Sequence, residues 1–169
     1  MTQPTIKRVM VTGGAGFIGS HTVDLLLAQG FDVHVVDNFA PYAGGKREQV
    51  PPNVRSYEID VATDEFESIL RDIRPDGVIH LAAQPSVKVS TDEPLLDLDK
   101  NGGGMIRLLR TCEQIGVRNA VFASSGATYG TPVELPITER TAQHRWQTRN
   151  LFAVRHPNRC APADDPTCA

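Results

Sequence analysis

The chain reads as an α/β protein built on a doubly wound parallel sheet. Three observations predict this. Short apolar runs alternate with segments of helical periodicity, a spacing that demands parallel strands joined by right-handed crossovers. The apolar runs lack polar alternation, as strands do when helices cover both faces of their sheet. A glycine-rich turn, Gly13-Gly14-Ala15-Gly16, follows the first run and opens the first helical pattern.

Each element has its own justification. Arg8-Val-Met-Val-Thr12 is a short buried strand. Residues 17–29 form a helix closed by Gly30, the residue that ends a helix in the left-handed conformation without steric cost. Residues 31–36 form the second strand, which runs into Asp37, and residues 54–59 form the third. Thr63 caps a helix whose first turn carries Asp64 and Glu65 at the positive end of its dipole. Phe66, Ile69, Leu70 and Ile73 then share one face of it. Residues 77–82 form the fourth strand, and residues 95–115 one long helix stopped by Gly116. Gly102-Gly103-Gly104 conflicts with that helix, at a cost of roughly 1 kcal/mol per glycine relative to alanine. Either the helix breaks there or packing holds it. Residues 120–123 form the fifth strand, leading into Ser124-Ser125. The expected strand order is 3-2-1-4-5, a Rossmann-like sheet. A sixth strand is not visible, so the sheet is read as incomplete at its C-terminal end.

A chain of 169 residues suits one domain with a core of its own, and 40% hydrophobic with 22% charged residues is ordinary for a globular protein. A net charge of −3 gives no reason to expect nucleic acid or an acidic membrane as partner. No apolar run approaches a membrane span, and the first residues lack a signal-peptide apolar segment. Cys112, Cys160 and Cys168 make no disulfide framework, so the cytoplasmic compartment is expected. The alternating pattern fills residues 1–139. Residues 140–169 hold five Arg, two of the three Cys and no Lys, without a periodic apolar face, and are expected to form a poorly ordered tail. The spacing of His144, His156, Cys160 and Cys168 does not match a zinc finger, and no metal site is expected.

Gly13, Gly16 and Gly19 follow a strand and open a helix. The first permits a tight turn, the second lets backbone N–H groups approach a pyrophosphate, and the third lets the helix pack against the sheet. Asp37, at the end of the next strand, can accept ribose hydroxyls and would repel a 2′-phosphate, so NAD is expected over NADP. Asn38 can assist it. Lys46 and Arg47 could meet a 2′-phosphate, but a solvated loop is the preferred reading. Asp60 and Val61, just past the third strand, suit the adenine edge; helix entry is the alternative for Asp60.

Together with Thr12-Gly-Gly-Ala-Gly-Phe-Ile-Gly-Ser-His21, Val78-Ile-His-Leu-Ala-Ala83, Asn101, Phe122-Ala-Ser-Ser-Gly-Ala-Thr-Tyr-Gly130 and Leu135-Pro-Ile-Thr-Glu139, these residues resemble the extended short-chain dehydrogenase/reductase family. The resemblance is strongest to its NAD-dependent nucleotide-sugar epimerases and dehydratases, with UDP-glucose 4-epimerase-like members nearest. It implies that Gly13, Gly16, Phe17, Ile18, Gly19, Asp37, Asn38, Asp60, Val61, Leu81, Ala82 and Ala83 bind NAD, and that Asn101 touches it from the long helix. It also implies a nucleotide-sugar substrate and a substrate-facing loop over residues 84–90, where Lys88 could meet a phosphate, although a solvated lysine is preferred. Ser125, or Ser124 in a register one residue off, would hydrogen-bond the sugar hydroxyl; a strand-end turn is the alternative.

The same family uses a Tyr-x-x-x-Lys pair, in which the lysine lowers a phenol whose ordinary pKa is about 10. The spacing occurs at Tyr42-Ala-Gly-Gly-Lys46, after the second strand, and is read there as a coincidental loop. At the expected place the chain reads Asn150-Leu-Phe-Ala-Val-Arg-His156, with Phe152 at the Tyr position and His156 at the Lys position. Phe cannot ionise. Divergence and a shifted reading frame after about residue 139 both account for this segment. By the resemblance a substrate-binding domain would follow, and residues 1–169 do not contain it. The leading expectation is therefore an NAD-binding domain, inactive alone. An epimerase or dehydratase with an atypical base or a partner chain, a non-catalytic dinucleotide-binding module and a non-functional remnant are the alternatives. An unpaired sheet edge would favour a homodimer or aggregation.

Overall fold

The computed structural model describes residues 7–41, 43–129, 135–138 and 141. The expectations on Tyr42, His144, Phe152, His156, Cys160 and Cys168 lie outside these residues. Two compact units divide the chain, Met1–Ala123 and Ser124–Ala169.

The first unit is a five-stranded parallel sheet in the order β3-β2-β1-β4-β5. Its strands are β1 (Arg8–Thr12), β2 (Asp32–Asp37), β3 (Arg55–Glu58), β4 (Gly77–His80) and β5 (Asn119–Phe122). Side chains alternate across the sheet and build two cores. Val9, Val11, Val33 and Val35 pack with Val23 of helix α1 (Phe17–Ala28) on one face. Met10, Val36 and Val78 pack with Phe66 and Leu70 of α2 (Asp64–Ile73) and Leu108 of α5 (Gly104–Ile115) on the other. Met10, Val35, Val36, Phe66 and Leu70 are fully buried, each worth about 1.5–3 kcal/mol of apolar transfer. Two buried faces explain the apolar runs of the central strands β1, β2 and β4, whereas β3 and β5 at the sheet edges are largely exposed.

The helix ends follow the local chemistry. Thr63 caps α2 by accepting the Phe66 amide at 3.4 Å. At the end of α1, Gly30 takes φ +83°, and the Gly30 and Phe31 amides donate to the Leu27 and Leu26 carbonyls at 2.9 and 3.1 Å. This Schellman closure sets Gln29 as the cap, so the helix stops one residue short of the expected end.

Three expectations are corrected. The fourth strand ends at His80, because beyond Leu81 the chain leaves the ladder to pass the glycine turn. The long helix is not uniform: α4 (Pro94–Asp97) leads into a π-helical stretch, Leu98–Gly103, and then into α5. Packing shapes that path, since a Cβ on Gly104 would stand 2.9 Å from Val61 Cγ2. Within the expected loop over residues 84–90 a short helix begins, α3 (Val87–Asp92), capped by Ser86 through the Val89 amide at 3.3 Å. β5 pairs with β4 alone among the described residues, and Val121 and Phe122 on it are exposed. The described part of the second unit opens with a 3₁₀ turn, Gly126–Tyr129.

Candidate functional site

A cleft opens at the carboxyl ends of the strands. Gly13 and Gly16 form its floor, Asp37 and Asn38 follow β2, and Ile59, Asp60 and Val61 follow β3. Leu81, Ala82, Ala83 and Gln84 make one wall; Ala40, Ala43 and Gly45 make another, and Lys100 closes the far side.

The glycine turn is shaped by contact as much as by φ. Gly13 takes φ +69°, and a Cβ there would stand 2.6 Å from the Ala82 amide nitrogen. A Cβ on Gly19 would stand 2.0 Å from the Gly13 carbonyl oxygen, so the absent side chain lets α1 close on the turn rather than on the sheet. Gly16 is looser, with the same oxygen at 3.3 Å. No side chain caps α1 and no acid sits in its first turn, which leaves its leading N–H groups and positive dipole end for an anion. Phe17 and Ile18 in that turn are exposed.

Asp37 is 7% exposed. Its Oδ2 accepts the Ala15 amide at 3.0 Å and its Oδ1 the Phe39 amide at 2.9 Å. A carboxylate has about four lone-pair positions, so both oxygens retain accepting capacity toward the cleft. Gly45 lies against this carboxylate: a Cβ there would meet Oδ1 at 2.9 Å. The loop carrying it is tied to the glycine turn, because the Lys46 amide donates to the Ala15 carbonyl at 3.0 Å. Arg47 turns away, over the Phe39 ring at 4.3 Å and onto Glu58 at 2.5 Å.

Asp60 is a junction. Its Oδ1 accepts the Ala62 amide at 2.9 Å, while its Oδ2 accepts Asn38 Nδ2 at 3.1 Å and Lys100 Nζ at 2.9 Å. Burial opposes its ionisation, but the Ala62 amide, the Lys100 ammonium and Asn38 outweigh that and hold the carboxyl below its ordinary range. Burial likewise opposes the charge on Lys100, and Asp60 and Asp99 reverse the balance upward. Beneath the turn, His80 Nδ1 bonds Thr12 Oγ1 at 2.7 Å, and burial pushes its pKa down to about 4. Thr12 Oγ1 also receives the Ala82 amide at 3.4 Å.

The structure thus gathers nine of the expected residues on one cleft: Gly13, Gly16, Asp37, Asn38, Asp60, Val61, Leu81, Ala82 and Ala83. Gly19, Phe17 and Ile18 sit in the first turn of α1. Asn101 reaches the wall through Gln84, whose amide it accepts at 2.8 Å and whose carbonyl it donates to at 3.1 Å. Ser124 is exposed, and the Ser125 carbonyl accepts the Thr128 amide and hydroxyl at 3.1 and 2.8 Å; both serines belong to the second unit. Lys88 is exposed and paired with Asp92. Lys100, Ala40, Ala43 and Gly45 carry no signal that sequence reading used. Lys100 and Asn101 are adjacent in the π-helical stretch, where Lys100 lines the cleft and Asn101 bonds Gln84.

No helix among the described residues is long and apolar enough to cross a membrane. A model of the NAD dependent epimerase/dehydratase family matches residues 9–156. The UDP-glucose 4-epimerase of Lacticaseibacillus casei is 44% identical over 136 residues, covering 80% of this chain and 40% of that protein. The Thermus thermophilus UDP-glucose 4-epimerase, solved in complex with NAD, superposes with a TM-score of 0.72 at 48% identity, covering 81% of this chain and 44% of that one. The Thermotoga maritima enzyme, solved with UDP-glucose, gives 0.72 at 41% identity, covering 81% and 44%. The chain spans about two fifths of the length of the curated relatives it matches. A five-stranded parallel sheet, a glycine turn under an uncapped helix, an acid closing the second strand and a family match over residues 9–156 converge, and the chain belongs to the NAD dependent epimerase/dehydratase family.

Proposed function

We propose that this chain is the NAD-binding part of a UDP-glucose 4-epimerase-like protein and does not turn over a sugar nucleotide alone. The observation that carries the reading is Asp37: a buried carboxylate, oriented by two backbone amides, lining a cleft whose floor is the glycine turn. Its remaining lone pairs accept the adenosine ribose hydroxyls, and its charge disfavours a 2′-phosphate. The leading amides of α1 hold the pyrophosphate. Val61 and Asp60 border the adenine, and Leu81, Ala82 and Ala83 form an apolar, close-packed wall. When bound, NAD supplies a nicotinamide that takes a hydride from the sugar and returns it. Ser125, or Ser124, orients the sugar hydroxyl. The proton on that hydroxyl needs a base, and Phe152 at the family's tyrosine position has no ionisable group, while His156 stands where the lysine would lower a phenol's pKa. A nucleotide-sugar partner, a homodimer and a cytoplasmic location complete the reading.

Isothermal titration of NAD and NADP into the purified chain tests it. NAD should bind, with NADP at least about tenfold weaker, since a phosphate against a buried carboxylate costs well over 1 kcal/mol. Absence of NAD heat at millimolar cofactor refutes the binding claim. Brisk interconversion of UDP-glucose and UDP-galactose by the chain alone refutes the inactivity claim and favours an atypical base.

A further inference from the structure

We infer that Asp97 is a positioning residue for the cleft, anchoring through Gln84 the wall formed by residues 81–84. This rests on the reading of the cleft as an NAD site.

Asp97 Oδ1 accepts three hydrogen bonds from three parts of the fold. Gln84 Nε2 donates at 2.8 Å, Ser90 Oγ of α3 at 2.8 Å, and Asn101 Nδ2 of the π-helical stretch at 2.9 Å. Gln84 is 5% exposed, and Asp97 is the only charged group among its hydrogen-bond partners described here. A carboxylate accepts and never donates, so each amide must present its NH₂ end to it. That choice leaves Asn101 Oδ1 facing the Gln84 amide at 2.8 Å, and lets Asn101 Nδ2 also reach the Gln84 carbonyl at 3.1 Å. It also leaves Gln84 Oε1 for the Ser86 amide at 2.5 Å. The side-chain amide of Asn101 thus pairs with the main chain of Gln84 as a neighbouring strand would, four residues beyond the end of β4.

The wall is therefore held at two ends. At its start the Leu81 amide donates to the Thr12 carbonyl at 2.9 Å. At its finish the anchor is the Asp97 cluster. Between them Ala82 stands so close to Gly13 that a Cβ on Gly13 would meet its amide nitrogen at 2.6 Å, so wall and floor pack in direct contact. The ground around the anchor is not core: Val87 of α3 and Leu95 of α4 are each 80% exposed. Loss of Asp97 should release one end of a cleft wall while the two buried cores stay intact. Cofactor affinity, rather than global stability, is the quantity it controls.

The test combines NAD titration with amide hydrogen exchange on the 169-residue chain. Asp97→Ala removes a charged acceptor and should weaken NAD binding by about tenfold. Asp97→Asn keeps a neutral acceptor and should weaken it by about threefold. Asp92→Asn, an exposed carboxylate on α3, serves as the control and should leave affinity unchanged. In both Asp97 variants the Gln84 amide should exchange faster while the Leu81 amide does not. Wild-type affinity together with wild-type Gln84 protection overturns the inference, as does a uniform rise in exchange across the sheet, which marks plain destabilisation. If Asp97→Ala does not fold, Asp97→Asn carries both readouts. If the wild-type chain gives no NAD heat, the proposed function fails, and the exchange comparison alone decides the positioning claim.

Discussion

Lowering the pH should loosen this fold through His80, well before its carboxylates protonate. The ring is 5% exposed at the end of β4, with Nδ1 on Thr12 Oγ1 at 2.7 Å. Burial lowers its pKa from 6.5 to about 4. Between those values the unfolded chain holds a proton that the folded chain refuses, so stability rises with pH across the window and falls on acidification. At about 1.4 kcal/mol per pH unit, the gap amounts to roughly 3 kcal/mol by about pH 4, of which about 2 kcal/mol is lost between about pH 7.5 and 5. That is a large share of the roughly 5–15 kcal/mol that holds a domain together. Burial also lowers His34, against the opposing pull of Asp32, and its contribution falls in the same direction. Asp60 is held below 3.8, so its contribution is present above that range and is lost only at lower pH.

His80→Asn separates these contributions. An asparagine amide can occupy the place of Nδ1 and keep the bond to Thr12 without titrating. Urea unfolding at steps from about pH 7.5 to 5 should show wild-type stability falling by about 2 kcal/mol more than that of His80→Asn. Equal slopes for the two proteins would refute the argument and place the acid sensitivity elsewhere.

Further outcomes follow from the cleft. Gly19→Ala drives a Cβ to within 2.0 Å of the Gly13 carbonyl oxygen, whereas Gly16→Ala meets the same atom at 3.3 Å. Thermal unfolding without cofactor should therefore show Gly19→Ala at least about 2 kcal/mol less stable than Gly16→Ala; equal melting temperatures would contradict the packing argument. Lys100 and Asp60 are each about one fifth exposed, so their pair lies between surface and core in strength. A double-mutant cycle with Lys100→Met and Asp60→Asn should give a coupling of about 1 kcal/mol, and additive effects would show that the pair contributes nothing.

Much of the molecule was legible from residue order because local and global preferences agree. Gly30 and Thr63 mark helix ends through backbone chemistry that acts within a few residues. The apolar runs of β1, β2 and β4 require central strands covered on both faces, and the glycine turn with crossover spacing points to the Rossmann order β3-β2-β1-β4-β5. Asp37 was identified for the same reason, since the end of a strand beside a glycine turn leaves it one place to point.

What periodicity could not reveal depends on contacts between distant segments. Gly104 opens α5 where a Cβ would meet Val61, and the π-helical stretch just before it carries Lys100 on the cleft and Asn101 on Gln84. Gln84 is buried because Asp97, Ser90 and Asn101 converge on it from three elements, an arrangement that no single stretch of chain encodes. The sequence by itself determined the parallel sheet, the glycine turn and the acid beside it, because each follows from local geometry and apolar pattern. Only the tertiary structure decided how the walls of the cleft are held, because hydrogen bonds among Gln84, Ser90, Asp97 and Asn101 join separate elements and depend on where the folded backbone brings them.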